Sequence, residues 1–320
     1  MKKTGYIVLL ILALIPNRSF GQGYDSARII LGYPVYSQYI HNGLMINPAY
    51  AGSREALTAT LSYRMQWMGI TESPRLQTVS LHTPLKNDKV GIGLNARFMQ
   101  YGITKSSSVY AMYAYQIRLA KGKLSFGLKA GVDISNTDYN GLQGIDKSDP
   151  VLPANGKLSY VFPNAGAGIY YFSDRIFAGV AVPSFLFYRS AGGGKTQAYH
   201  SFSEYDFIFS AGGLIRFSQN LKFKPSVLLD LSVHEANLIN QLDLNGNFII
   251  ADLIWVGASW RTTEQVITGH LQVNIGQQLM LGLSYDLPAG RMNKYSNGSS
   301  EIILRYEFGS KVSASNPRYF

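Results

Sequence analysis

The chain has 320 residues, no Cys, a formal charge of +10 and 13% aromatic residues, with 22 Tyr and 32 Gly. Zero Cys excludes disulfides and argues against a zinc site. Mean hydropathy is near zero, and no segment beyond the N-terminus offers a long charge-free apolar run, so transmembrane helices are not expected. The basic residues are dispersed rather than clustered. That favours anionic lipid headgroups or an acidic partner in a lumen over nucleic acid.

The chain opens with Lys2 and Lys3, then an apolar run from Ile7 to Ile15 that is too short to span a bilayer. Ser19 and Gly21 stand at the −3 and −1 positions of a cut before Gln22. Residues 1–21 therefore read as a secretory signal peptide. No Cys follows the cut, which excludes a lipoprotein anchor.

Residues 22–56 form a segment of a different character. It contains Tyr36-Ser37-Gln38-Tyr39 and then Asn47-Pro48-Ala49-Tyr50-Ala51-Gly52. Pro fixes φ and Gly permits positive φ, so the second block is turn chemistry. It reads either as an ordered turn leading into the next domain or as a periplasmic or intraluminal element that closes a pore.

From residue 57 the pattern alternates apolar and polar. In 124–135, Leu124, Phe126, Leu128, Ala130, Val132 and Ile134 share one face, while Ser125, Gly127, Lys129, Gly131, Asp133 and Ser135 share the other. A period of two is the signature of a strand. Candidate strands fall at 57–68, 75–83, 89–101, 106–120, 122–139, 157–172, 175–189, 202–218, 221–233, 238–247, 250–261, 264–275, 278–287 and 299–309. Such a succession predicts an all-β fold: a transmembrane antiparallel up-and-down β-barrel of about 14 strands over 57–309, lipid outside and polar lumen inside. Tyr and Trp suit its membrane–water interfaces.

Connections alternate between two kinds. Tight turns are expected at 84–88, 120–122, 172–175, 218–220, Asn245-Gly246-Asn247 and 276–277, while the long loops 140–156, 190–201 and 288–298 all belong to the other set. Short turns mark the periplasmic side of bacterial barrels, so both termini are expected in the periplasm and the long loops outside. Pro183 and Pro225 fall inside expected strands and imply a bulge or a strand end. Residues 310–320 read as a tail after the last alternating run. The terminal Phe320 and the run Ile302-Leu304-Tyr306-Phe308 are both candidates for an assembly signal.

Four blocks occur in order: Tyr36-Ser37-Gln38-Tyr39, Asn47-Pro48-Ala49-Tyr50-Ala51-Gly52, Gln66-Trp67-Met68-Gly69 and Ser80-Leu81-His82-Thr83-Pro84-Leu85, with Pro74 after the Trp-Gly pair. Together they resemble the N-terminal signature of the PorP/SprF family, outer-membrane proteins of the Bacteroidetes type IX secretion and gliding systems. The resemblance implies a non-enzymatic role in secreting or retaining type IX substrates such as large surface adhesins. It also implies contact with other secretion-system components and with outer-membrane lipid. Asn47, Pro48, Ala49, Tyr50, Ala51, Gly52, Gln66 and Trp67 become the candidate partner-interaction or pore-closing residues.

Other chemistry is thinly supported. Gly192-Gly193-Gly194-Lys195-Thr196 lacks the first Gly of a phosphate loop, because Arg189 stands there. None of His41, His82, His200, His234 and His270 pairs with another at metal-ligand spacing. Asp146, Asp149 and Asn140 read as solvated loop residues. His82 beside Ser80 is the one hydrolase-like pair, and a lumen-facing polar pair explains it better. No catalytic residue, metal or cofactor is expected. The leading function is a secretion or adhesin-anchoring component. The alternative is a passive channel for small or hydrophobic solutes, and an outer-membrane hydrolase comes third.

Overall fold

The structure, a computed structural model, describes residues 37, 39–85, 88–141, 156–190, 196–233 and 239–309. The signal peptide, the Gly-rich stretch 191–195, the loop acids Asp146 and Asp149, and the tail from 310 lie outside the described residues.

Strands follow one another almost without interruption. They are β1 (Leu57–Met65), β2 (Arg75–Pro84), β3 (Val90–Tyr101), β4 (Thr104–Leu119), β5 (Gly122–Asp138), β6 (Lys157–Phe172) and β7 (Ile176–Val182). A small hairpin, β8 (Phe187–Ser190) with β9 (Thr196–Tyr199), interrupts the series. Then come β10 (Asp206–Gly213) with its continuation β11 (Ile215–Arg216), β12 (Leu221–Ser232), β13 (Ile239–Ile250), β14 (Ile254–Arg261), β15 (Val266–Ile275), β16 (Leu279–Pro288) and β17 (Ser299–Phe308).

Each barrel strand pairs antiparallel with the next, β10 pairs with both β7 and β12, and β1 pairs with β17. The result is a closed barrel of 14 strands, with β10 and β11 acting as one. Closure matters physically: it leaves no sheet edge among the paired positions, so backbone N–H and C=O groups bond to one another rather than to lipid.

The two faces follow the alternation of the sequence. Leu128, Phe126, Tyr113, Ile267, Leu271 and Ile302 are exposed on the outside. Their neighbours Ser125, Thr268, His270, Gln272 and Glu301 are buried on the inside.

Three expectations needed correction. Asn245-Gly246-Asn247 is not a turn but the middle of β13, and the turn lies at 251–253, where Ala251 and Asp252 take positive φ. Asn245 and Asn247 face the polar lumen, and Gly246 on the outer face leaves room for the Phe223 ring. A polar–Gly–polar triplet is thus as natural in a barrel strand as in a hairpin. The expected strand 175–189 stops at Val182, before Pro183, and the first residues of the expected strand 202–218 form a 3-10 turn at Phe202–Glu204. Pro225 is accommodated inside β12, opposite the break between β10 and β11.

The alternation generates a test. Leu128 is 60% exposed on the lipid face, whereas Lys129 points inward over the Tyr110 ring. An Arg at mid-bilayer on a lipid face costs about 2–4 kcal/mol. Leu128→Arg should therefore deplete the heat-resistant folded species on unheated gels far more than Lys129→Ala. The reverse order would mean that this strand's register is displaced by one residue.

Candidate functional site

The described residues of the segment ahead of the barrel, Ser37 and 39–56, lie inside it. Residues 39–50 form three short 3-10 turns, Tyr39–His41, Gly43–Met45 and Pro48–Tyr50. Asn47 caps the last of these, with its Oδ1 accepting from Ala49 N at 2.9 Å, and Pro48 occupies the first position, where its missing N–H costs nothing. Gly52 follows at φ +74°, a conformation that a residue with a Cβ adopts only under strain.

Partners of this segment come from nearly all sides of the ring. Asn42 Nδ2 donates to Ser80 Oγ of β2 at 2.9 Å, and Gly52 N donates to His82 Nδ1 at 3.2 Å. Gln116 of β4 donates to Ala51 O at 3.2 Å. Asn47 Nδ2 reaches Ile169 O of β6 at 3.0 Å. Across the lumen, Asn245 of β13 donates to the Tyr39 hydroxyl at 2.5 Å, and Arg305 of β17 donates to His41 O at 3.1 Å. Only a position in the lumen satisfies contacts so distributed. Ser80 and His82, the hydrolase-like pair, are thus occupied as wall ligands of this segment.

The wall is shaped to receive it. Gly91, Ala114, Gly127, Gly168 and Ala181 are direct cross-strand partners on β3, β4, β5, β6 and β7. They form one slanting belt of inward positions with at most a methyl group. A Cβ built on Gly91, Gly127 or Gly168 would come closer than 3.0 Å to Ala51 O, Ala49 N and Asn47 Oδ1 respectively. Main chain thus packs directly on main chain, and Tyr50 fills the space above with its ring edge-on to Tyr170 and His82.

Charges hold the two ends. At the short-turn end, Arg54 Nε lies 2.6 Å from Glu307 Oε1, which also faces Arg305 at 3.4 Å. Toward the other end, Ser37 sits in a buried cluster of Arg64, Asp286, Glu301 and Arg261. Its hydroxyl lies 2.9 Å from Asp286 Oδ1 and accepts from Arg64 Nη1 at 2.7 Å, while its N–H donates to Glu301 at 3.1 Å. Arg64 Nη2 pairs with Asp286 Oδ2 at 2.5 Å. Burial pushes the His41 imidazole well below its usual pKa, helped by Arg305 and Lys224. Burial alone would lower the pKa of Arg54, but Glu307 and Tyr50 beside it hold it above its ordinary value.

Of the candidate residues, Asn47 to Gly52 gather at this seat. Gln66 and Trp67 do not. They lie in the β1–β2 connection 66–74, at the end of the barrel opposite the 85–89 turn, where Trp67 has φ +52° and its N–H donates to Ser299 Oγ. Sequence reasoning missed the Gly–Ala belt and the Ser37 cluster. The signal for the belt was there, since Gly127 occupies a polar-face position, but it becomes a belt only once the register is known.

Residues 30–306 match the family described as Type IX secretion system membrane protein PorP/SprF. The chain belongs to that family. Among solved structures, the PorP/SprF chain resembles the CymD monoaromatic hydrocarbon channel, with 12% identity and TM-score 0.51 over 89% of this chain and 95% of that one. It also resembles the toluene transporter TbuX of Ralstonia pickettii, with 9% identity and TM-score 0.50 over 83% and 93%. These likenesses establish the outer-membrane type of barrel fold. No curated protein matches the chain by sequence.

The seat makes two predictions. Gly127→Val should displace the segment and expose Arg54, so that trypsin cleaves after it in a barrel that is still heat-resistant. Gly269→Val, at a position with open space around it, should leave Arg54 protected. Asp286→Ala removes the nearer of the two carboxylates paired with the buried Arg64, leaving Glu301 at 3.5 Å; losing one partner of a buried pair costs about 3–5 kcal/mol. It should lower the denaturation midpoint well below that of Asp88→Ala, whose partner Arg118 is exposed.

Proposed function

We propose that this protein is an outer-membrane component of type IX secretion that assists the secretion or surface anchoring of a partner protein such as a large adhesin. In this reading it is not an enzyme, its lumen is closed by Ser37 and residues 39–56, and both termini face the periplasm. The observation that carries the reading is the seated segment. A passive channel needs a continuous path, whereas here the chain's own residues bridge the lumen from β2 and β4 to β13 and β17. The likeness to hydrocarbon channels is one of fold and does not transfer their cargo. Orientation is supported by the connections: the described residues 139–141, 156, 183–190 and 196–205 share one end, and the tight turns share the other with both ends of the barrel.

Three experiments test this. Pro48→Ala with Gly52→Val should leave the folded barrel at normal levels in the outer membrane and reduce surface display of the dependent adhesin in the native host. Normal display would make the segment a mere linker, and loss of the barrel would make it a folding element. Purified protein in planar bilayers should conduct little; steady conductance of porin size would favour the passive channel instead. For orientation, Cys placed at Ser203 should react with an impermeant maleimide on intact cells, and Cys at Lys121 or Asn220 should not.

A further inference from the structure

The barrel wall is not of even height. β5 pairs with β6 along its whole length, from Lys123↔Phe172 to Asp138↔Lys157. On its other side β6 pairs with β7 only from Ala167↔Val182 to Phe172↔Phe177. From 157 to 166, β6 has no strand beside it among the described residues. The chain leaving β7 closes the lower part of this notch with irregular contacts. Phe185 N donates to Ala165 O at 2.9 Å, Asn164 Oδ1 accepts from Phe185 N and Leu186 N, and the Tyr188 hydroxyl bonds to Pro163 O. The Tyr188 ring also packs on Phe162 at 4.6 Å, and among the described residues the contacts along this edge end there.

Direction follows from the same bonds. Because the carbonyl of Ala165 points to this edge, those of 163, 161 and 159 do too, since backbone polarity alternates along a strand. Pro163 has no N–H to offer. The N–H and C=O of Val161 and Ser159 therefore point away from β5, toward a position that no strand among the described residues fills.

Height follows from the outer face. The row Lys105↔Asn136↔Ser159 is polar, with Ser159 Oγ donating to Asn136 Oδ1 at 2.6 Å, and Lys157 pairs with Asp138 above it. The row below, Ser107↔Ile134↔Val161, is mixed, and the apolar belt begins beneath it. A transmembrane strand needs about 9–11 residues. β4, β5 and β6 have 16, 17 and 16, so their tops stand clear of the bilayer at the long-connection end.

We propose that this edge of β6, at Ser159 and Val161, is a strand-addition site for an extended segment of the exported partner. Backbone hydrogen bonds would give affinity, and the sequence of the added strand would matter little. A free edge in water is a template for pairing. In the orientation proposed above it stands on the outer end of a secretion-system barrel, on the side of the surface partner. The inference rests on the reading that the protein serves a surface partner.

The test uses the alternation itself. Ser159→Pro with Val161→Pro removes two edge-facing N–H groups and no ladder bond to β5, whereas Ser159→Ala with Val161→Ala keeps both. The readout is surface display, in the native host, of the protein that disappears from the surface when this chain is deleted. The proline pair should lower display at least fivefold with folded barrel at wild-type level, and the alanine pair should not. A photo-crosslinking residue at 161 should join to that same surface protein. If deletion of the chain depletes no surface protein, the functional reading itself fails. If deletion depletes one but the proline pair displays it normally, the edge proposal alone is overturned. Crosslinks confined to the barrel's own connections would also overturn it. Should the proline pair not fold, the crosslink decides.

Discussion

Closure of the hydrogen-bond ladder is the constraint on which the rest depends. In hydrocarbon no water is present to satisfy a free N–H or C=O, so the sheet must return to its first strand, as β17 does to β1. A closed sheet has an inside and an outside, and a period of two sends alternate residues to each. The apolar half of every strand meets lipid. The polar half is therefore delivered to the lumen, where Arg64, Arg261, Asp286, Glu301 and Glu307 are all buried.

A lumen so lined cannot be left to collapse. Buried charges need partners and buried polar atoms need hydrogen bonds, or each costs several kcal/mol. The segment before the barrel supplies part of that demand. Ser37 gives a hydroxyl and an N–H to the acids of β16 and β17, and Arg54 supplies a cation to Glu307. Such buried pairs add little net stability over an apolar alternative, but losing one partner is expensive. They act as position markers more than as glue, and fix where the segment enters and leaves.

Between those markers the segment is held by shape. The Gly–Ala belt across β3 to β7 lets the main chain of 47–52 approach the wall to contact distance. The opposite wall, β12 to β15, presents side chains such as Asn247, His270 and Gln272 that are buried with polar atoms lacking hydrogen-bond partners among the described residues. The two sides of the lumen thus differ, one close-packed and one polar.

The period-two pattern in the sequence determined the fold class, nearly all the strands and the inner and outer faces, because in a membrane barrel each residue's solvent is decided by its parity alone. The blocks around Asn47 and Trp67 determined the family. Three things were decided only by the tertiary structure. Asn245-Gly246-Asn247 reads locally as a turn, and only its pairing with Lys224-Pro225-Ser226 of β12, with both Asn side chains facing the lumen, makes it strand. Gln66 and Trp67 lie near Asn47 in sequence yet at another part of the barrel, because β1 carries the chain from one end to the other. The belt that seats 47–52 and the cluster around Ser37 join residues from strands far apart in the chain. Their adjacency is a property of register and closure, which no local pattern encodes.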